Sequence, residues 1–240
     1  MEQLAEKLVL WIRDKVSAAG CKGGVVGMSG GLDSSVVAVL SLRAFPQSTL
    51  GVIMPCYNSH EDTEHAQAVA EKFSIPTKTV VLDTIFDALL KVLPDDKADP
   101  DVSRLAKGNL KARLRMLTLY YFANQLKYMV VGSSNRSELS LGYFTKYGDG
   151  GVDIMPLANM VKGQVRELAR FLDIPQPIID KTPSAGLWEG QTDEGELGFS
   201  YDEFDRYLIT GEASAELKKR IESMVAASDH KRQPPPVANF

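Results

Sequence analysis

Residues 25–35 read Val25-Val26-Gly27-Met28-Ser29-Gly30-Gly31-Leu32-Asp33-Ser34-Ser35, an apolar run, then two adjacent glycines among hydroxyls, then an acid where a helix would begin. A buried strand that turns on glycines into a helix exposes backbone N–H groups at the helix N-terminus, where the helix dipole adds partial positive charge. Phosphate binding is therefore expected at this loop. It is not a Walker A loop, which needs a lysine and a hydroxyl after its last glycine, nor does it have the G-x-G-x-x-G spacing of a dinucleotide fold. Without that lysine, the phosphates held here are not set up for transfer of a γ-phosphoryl group. Asp33 has two readings: a helix cap, or a ligand to Mg²⁺, since a carboxylate beside phosphate is repulsive unless a divalent cation lies between them. Ser34 and Ser35 share the capping alternative.

Outward from this loop, strand-like runs alternate with helical patterns. GVVGMS leads into DSSVVAVLSLRAF, TLGVIMPC into SHEDTEHAQAVAEKFS, and TKTVVL into TIFDALLKVL; GNLKARLRMLTLYYFANQL precedes YMVVGSS, and VDIMPL precedes VKGQVRELARFLD. That order predicts an α/β fold, an open parallel sheet of about five strands with helices on both faces and ligands at the strands' carboxyl ends. One domain is expected over residues 1–240, with a tail at 229–240. Three segments break the pattern. Pro94 to Arg104 reads as a mobile loop, Lys181 to Glu196 is too long for a tight connection, and Asp229 to Phe240, with three consecutive prolines, is either frayed or wrapped on a surface.

The chain has 240 residues, 44% of them hydrophobic and 24% charged, as in ordinary soluble globular proteins. A net charge of -4 argues against bulk nucleic-acid binding, although a local basic pocket is compatible with it. Near the N-terminus, Leu4, Leu8, Trp11, Ile12 and Val16 share one helical face and charges interrupt every apolar run, unlike a signal peptide. No stretch has the apolar length of a membrane span. Cys21 and Cys56 lack CxxC spacing, which argues against zinc, iron–sulfur or persulfide chemistry, fits a reducing cytoplasm, and predicts thiols in or near the core.

In the second half, Gly132-Ser133-Ser134-Asn135-Arg136-Ser137-Glu138 follows an apolar run, and Gly142 to Asp149 (GYFTKYGD) leads on to Asp153 and Pro156. A solvated loop of mixed charge would read the same way. Glu138, however, follows a strand end as Asp33 does, so the two carboxylates could share one metal ion. Asp149 is a weak candidate for a general base or a cation ligand. His60 and His65 fall on a polar helix face and are assigned no role.

The SGGxDS motif resembles the N-type ATP pyrophosphatases, which cleave ATP between its α and β phosphates and have the adenine nucleotide alpha hydrolase-like fold. GNLKARLRM, GSSNRSE, GYFTKYGD, PLANMVK and KTPSAGLWEGQTDEGELG, in that order along nearly the whole chain, resemble the ammonia-dependent NAD synthetases. This resemblance implies ATP-dependent amidation of nicotinic acid adenine dinucleotide (deamido-NAD) by ammonia through an acyl-adenylate, with Mg²⁺ and ATP bound, in a cytoplasmic homodimer. It implies ATP contacts at Gly27, Met28, Ser29, Gly30, Gly31, Leu32, Asp33, Ser34, Ser133, Lys162 and Ser184, and magnesium ligands at Asp33 and Glu138. Asp33, Glu138 and Lys162 would carry the catalysis. Ser133 and Ser184 stand where the family often has threonine and keep the hydroxyl. Arg113, Lys146, Asp153, His230 and Lys231 would hold the dinucleotide.

The residues themselves leave some of this open. Arg113 shares its helix with Lys111 and Arg115, either of which fits a solvated face equally well. Lys162 sits at a helix start, where the dipole disfavours a cation, so an anionic neighbour is expected. The stripe Leu114, Leu117, Tyr121 reads as core or subunit contact. Glutamine hydrolysis in the family uses an additional N-terminal domain, so free ammonia or ammonia from a separate partner is the expected nitrogen source. The competing reading is a nucleotide-binding sensor without catalysis.

Overall fold

The computed structural model describes residues 1–94, 99–188 and 190–238. The chain opens with α1 (Glu2–Ala18), β1 (Gly24–Gly27), α2 (Leu32–Ala44), β2 (Thr49–Ile53), α3 (His60–Phe73), β3 (Thr77–Thr79) and α4 (Asp83–Val92). It continues through α5 (Pro100–Leu126), β4 (Met129–Val130), α6 (Arg136–Leu141), α7 (Lys162–Phe171), α8 (Gln176–Ile179), α9 (Asp193–Leu197), α10 (Tyr201–Thr210) and α11 (Ala215–Arg232).

All strand pairs are parallel and the sheet order is β3-β2-β1-β4. Because β2 and β3 lie on one side of β1 and β4 on the other, the strand order reverses between β1 and β4. That reversal opens a crevice at the strands' carboxyl ends. The loops leaving β1 and β4, which carry Asp33 and Glu138, both start there.

The sheet has four strands where about five are expected. The fifth, in VDIMPL, shrinks to one parallel bridge between Val131 and Ile154. The cause is a side chain: Asp153 Oδ2 accepts the Val130 N–H at 2.8 Å, taking a donor that a neighbouring strand's carbonyl would otherwise use.

Helix α2 contains three valines that would favour a strand, yet Val36 to Leu40 are all at most 1% exposed. Burial on all sides by the sheet, α1 and α7 overrides β propensity, each such side chain contributing about 1.5–3 kcal/mol. One core cluster, on the face covered by α1, α2, α3 and α7, includes Ile12, Val36, Leu40, Val69 and Leu168. The other lies beneath α4 and α5 and includes Val52, Phe86, Leu114 and Leu119. A third unites α6, α9, α10 and α11 around Phe204.

Helical structure reaches into all three irregular segments, α9 taking up the end of the Lys181–Glu196 stretch. Of the Pro94–Arg104 stretch, residues 95–98 lie outside the described residues, whereas Pro100 to Arg104 form the first turn of α5, capped by Asp99, whose carboxylate accepts from Asp101 N. The tail is helical as far as Arg232, with Ser228 buried and donating to the Leu141 carbonyl at 2.8 Å. Cys56 is buried and Cys21 half-buried.

Candidate active site

Gly27 ends β1, and Met28 at its end is buried. Gly30 has φ of +79°, and a Cβ there would lie 2.1 Å from the Asp62 carbonyl oxygen, so only glycine fits between the loop and the start of α3. Hydroxyls organise the nest. Ser29 N and Gly31 N donate to Ser34 Oγ and Ser29 Oγ, each at 3.3 Å, and Ser34 and Ser35 donate to the Gly31 carbonyl at 3.0 and 2.8 Å. Ser34 and Ser35 thus tie the first turn of α2 back to the loop, leaving Leu32 buried and Asp33 pointed elsewhere.

Asp33 faces the β4 side. Its Oδ1 accepts from Asn135 Nδ2 at 2.8 Å and its Oδ2 from Lys162 Nζ at 2.6 Å. Asn135 and Glu138 form a capping box on α6: Asn135 Oδ1 accepts from Glu138 N at 3.0 Å, and Glu138 Oε2 accepts from Asn135 N at 3.2 Å. Glu138 Oε1 is left to face Lys162 Nζ at 3.3 Å. The two carboxylates therefore share one ammonium, and the anionic neighbour expected of Lys162 is this pair.

Lys162 is only 4% exposed, and its Nζ lies 5.1 Å from the centroid of the Tyr201 ring. Burial works against its charge, but Asp33 and Glu138 outweigh burial and hold its pKa above the usual lysine value. Burial, reinforced by the Asp33 charge against the pull of Lys162, pushes Glu138 up to about 8. One lysine does not neutralise two partly buried acids. Asp205 braces both halves: its carboxylate accepts from Ser137 Oγ at 2.6 Å and from Gly163 N at 2.7 Å, one residue from Glu138 and one from Lys162.

Among the other expected ATP contacts, Ser133 is half-buried after β4, and exposed Ser184 accepts from Gly186 N at 3.1 Å in the Lys181–Glu196 segment. That segment folds against the β2–α3 turn, where Lys181 meets Asp62 at 2.5 Å and Asn58 donates to the Gly186 carbonyl at 3.4 Å.

Four of the five expected dinucleotide contacts form a separate cluster between α5 and α11. Arg113 donates to the Lys146 carbonyl at 3.3 Å, Lys146 to the His230 carbonyl, and Lys231 to the carbonyls of Gly142 and Phe144 at 2.8 and 2.9 Å. Asp153 stands apart, its second oxygen accepting from Tyr120 Oη at 2.9 Å. Of the Arg113 alternatives, Arg115 bonds inward to Asn58 and the Met54 carbonyl, and Lys111 to the Leu187 carbonyl. Neither is the solvated cation that the sequence left open. Asp149 is an exposed turn residue whose Oδ1 accepts from Thr145 N at 2.9 Å.

Sequence reasoning missed Asn135, Asp205, Tyr201 and Asp193. The first was readable, because Asn-x-x-Glu is a capping-box pattern. Asp205 and Tyr201 reach Ser137 and Lys162 across long sequence separations, and Asp193, bonded to Tyr201 eight residues on, has meaning only through that contact.

The nest and the acids face each other across the strand-order reversal, and no lysine follows the glycines. That combination defines a nucleotide-binding α/β protein of the ATP pyrophosphatase class. Comparison with known proteins narrows the class: residues 4–235 match the family model described as NAD synthase, and the chain belongs to that family. It is 51% identical over 237 residues to the NH₃-dependent NAD⁺ synthetase of Carboxydothermus hydrogenoformans, covering 98% of this chain and 97% of that one. Among solved structures it is similar to NMN synthetase from Francisella tularensis, with a TM-score of 0.93, 39% identity, and coverage of 100% and 98% of the two chains. It also resembles the NH₃-dependent NAD synthetase of Campylobacter jejuni in complex with nitrate, with a TM-score of 0.82, 27% identity and 99% of each chain covered.

Proposed function

We propose that the chain is a ligase that forms a C–N bond, amidating deamido-NAD with ammonia at the expense of ATP to give NAD, AMP and pyrophosphate. The observation that carries this reading is the pair Asp33 and Glu138 sharing Lys162 beside the Ser29–Ser34 nest.

A carboxylate is a poor acyl donor because oxide would be its leaving group. Attack of the nicotinate carboxylate on the α-phosphorus of ATP converts it to an acyl-adenylate and releases pyrophosphate; ammonia then displaces AMP. The first step brings two anions together. The Ser29–Ser34 nest and Lys162 would bind the departing pyrophosphate and stabilise its growing charge, with Ser133 and Ser184 as further ATP contacts. Arg113, Lys146, Asp153, His230 and Lys231 would hold the dinucleotide so that its carboxylate meets the α-phosphorus in line.

The donor set fits Mg²⁺: two partly buried carboxylates, incompletely neutralised, beside a phosphate nest suit an ion that binds one or two acids and completes its shell with phosphate and water. Asp33 and Glu138 would hold it, and it would neutralise phosphate charge. Among the described residues no three His, Cys, Asp or Glu side chains are grouped to hold a metal, so phosphate oxygens are needed to complete this site.

A homodimer fits the outer face of α5. Leu114 is buried in the core, but Leu117 and Tyr121 on the same stripe are 64% and 58% exposed and would pack on a second copy. No helix among the described residues is long and apolar enough to cross a membrane, and a cytoplasmic location fits the free thiols.

The likeness to the Francisella protein favours one second reading, the same chemistry on nicotinate mononucleotide. Purified protein supplied with ATP, Mg²⁺ and ammonium chloride is to be given each acid in turn, with amide and pyrophosphate measured separately. Both products appearing together, dependent on ammonium and with higher kcat/KM on deamido-NAD, is the expected result. Preference for the mononucleotide would establish the second reading, and ATP binding without either product would leave only a sensor.

A further inference from the structure

Asp193 opens α9 with its peptide N–H donating to the Pro183 carbonyl at 3.0 Å, which seats it beside Ser184. The residue is 4% exposed. Its Oδ2 accepts from Tyr201 Oη at 3.0 Å, and the face of that same Tyr201 ring lies against Lys162 Nζ. Its Oδ1 is buried and has no hydrogen-bond partner among the described residues. A buried carboxylate oxygen without a donor is costly, and a cation that brings its own N–H groups removes that cost.

The surroundings say which cation. Asp193 does not join Asp33 and Glu138 in a three-carboxylate metal set. Its neighbours are phenols: Tyr201, and Tyr143, which donates to Glu196 three residues further along α9. A buried carboxylate oxygen among phenol hydroxyls suits a small monovalent cation with several N–H donors, held by charge and by hydrogen bonding. Burial also raises the Asp193 pKa, against the pull of the Lys162 charge and of the Tyr201 and Tyr143 hydroxyls, which do not offset it.

We infer that Asp193 Oδ1 is the binding point for ammonium, the nitrogen substrate, on the Tyr201 side of the Asp33–Glu138–Lys162 cluster. This rests on the amidation reading above. It replaces Asp149, the candidate from the sequence, whose carboxylate is committed to a turn.

The test separates adenylation from amide formation. Adenylation alone is read as deamido-NAD-dependent exchange of pyrophosphate into ATP without ammonium, and amide formation by varying ammonium chloride at saturating ATP and deamido-NAD. Asp193→Asn keeps the shape and an acceptor for Tyr201. It is expected to raise the ammonium KM by about tenfold or more while exchange stays within about twofold of the parent. Hydroxylamine, which reaches the site uncharged at neutral pH, should be used by parent and variant alike.

An unchanged ammonium KM overturns the inference, as does a parallel fall in exchange and amidation, which is what a purely structural role produces. If Asp193→Asn does not fold, Tyr201→Phe keeps the carboxylate but frees it. An ammonium KM raised by about threefold with exchange intact supports the site, and no change overturns it. Parent protein without any exchange would remove the amidation reading itself, a result distinct from either.

Discussion

The side-chain amide of Asn135 donates to Asp33 Oδ1 at 2.8 Å across 102 positions of sequence, while its own carbonyl oxygen caps the helix that carries Glu138. One side chain thus joins the loop after β1 to the loop after β4 and fixes the spacing of the two acids. Asn135→Ala is expected to lose about 1 kcal/mol of stability as a missing cap, lowering Tm by about 2–4 °C in a chain of this size. Amidation should fall far more, by about 100-fold, because both acids lose their orientation. Calorimetry and steady-state kinetics on the same preparation check the pair, and equal, small effects would mean that the amide only caps α6.

Asp205 is 7% exposed and holds the neighbours of both Glu138 and Lys162. Asp205→Ala leaves the Ser137 hydroxyl and the Gly163 N–H buried without acceptors, at a cost of about 2–4 kcal/mol. Asp205→Asn restores one acceptor and should recover about half of that. Denaturant midpoints measure stability, and kcat is expected to fall more than the KM for ATP changes.

The Glu138 pKa, raised by burial to about 8, sets a pH dependence whose sign is fixed. With the folded pKa above the unfolded one, the folded state binds the extra proton, so Glu138 favours folding at low pH and loses that contribution as pH rises toward 8. Magnesium needs the ionised form, so its affinity should weaken below pH 8, by up to about tenfold per unit. Titrating Mg²⁺ by calorimetry with ATP present, between pH 6 and 9 and within roughly this window, tests the slope. Glu138→Gln should bind weakly at every pH and show no such slope.

Leu117 and Tyr121 offer a further check. Leu117→Asp places a charge on the exposed apolar stripe and should shift sedimentation from dimer to monomer while leaving the melting of the monomer fold within about 0.5 kcal/mol. A parent protein that sediments as a monomer would remove the dimer.

The sequence by itself determined the α/β alternation and the glycine–hydroxyl turn after β1, because both are written in local terms. Apolar periodicity sets strand and helix, and paired glycines followed by an acid and hydroxyls mark a strand-to-helix turn, whereas the Asp62 carbonyl that presses on Gly30 is visible only in the fold. The sequence also made Lys162 an anomaly at a helix start, an anomaly that required an acid nearby. What only the tertiary structure decided is which acids those are, and what braces them. Lys162 meets Asp33 across 129 positions, and Asp205 meets Ser137 across 68. The fifth strand was lost for the same kind of reason: a side-chain carboxylate at Asp153 took the Val130 N–H that a neighbouring strand would have bonded. Hydrogen bonds of this sort depend on where two distant backbones come to rest, and no local propensity carries that information.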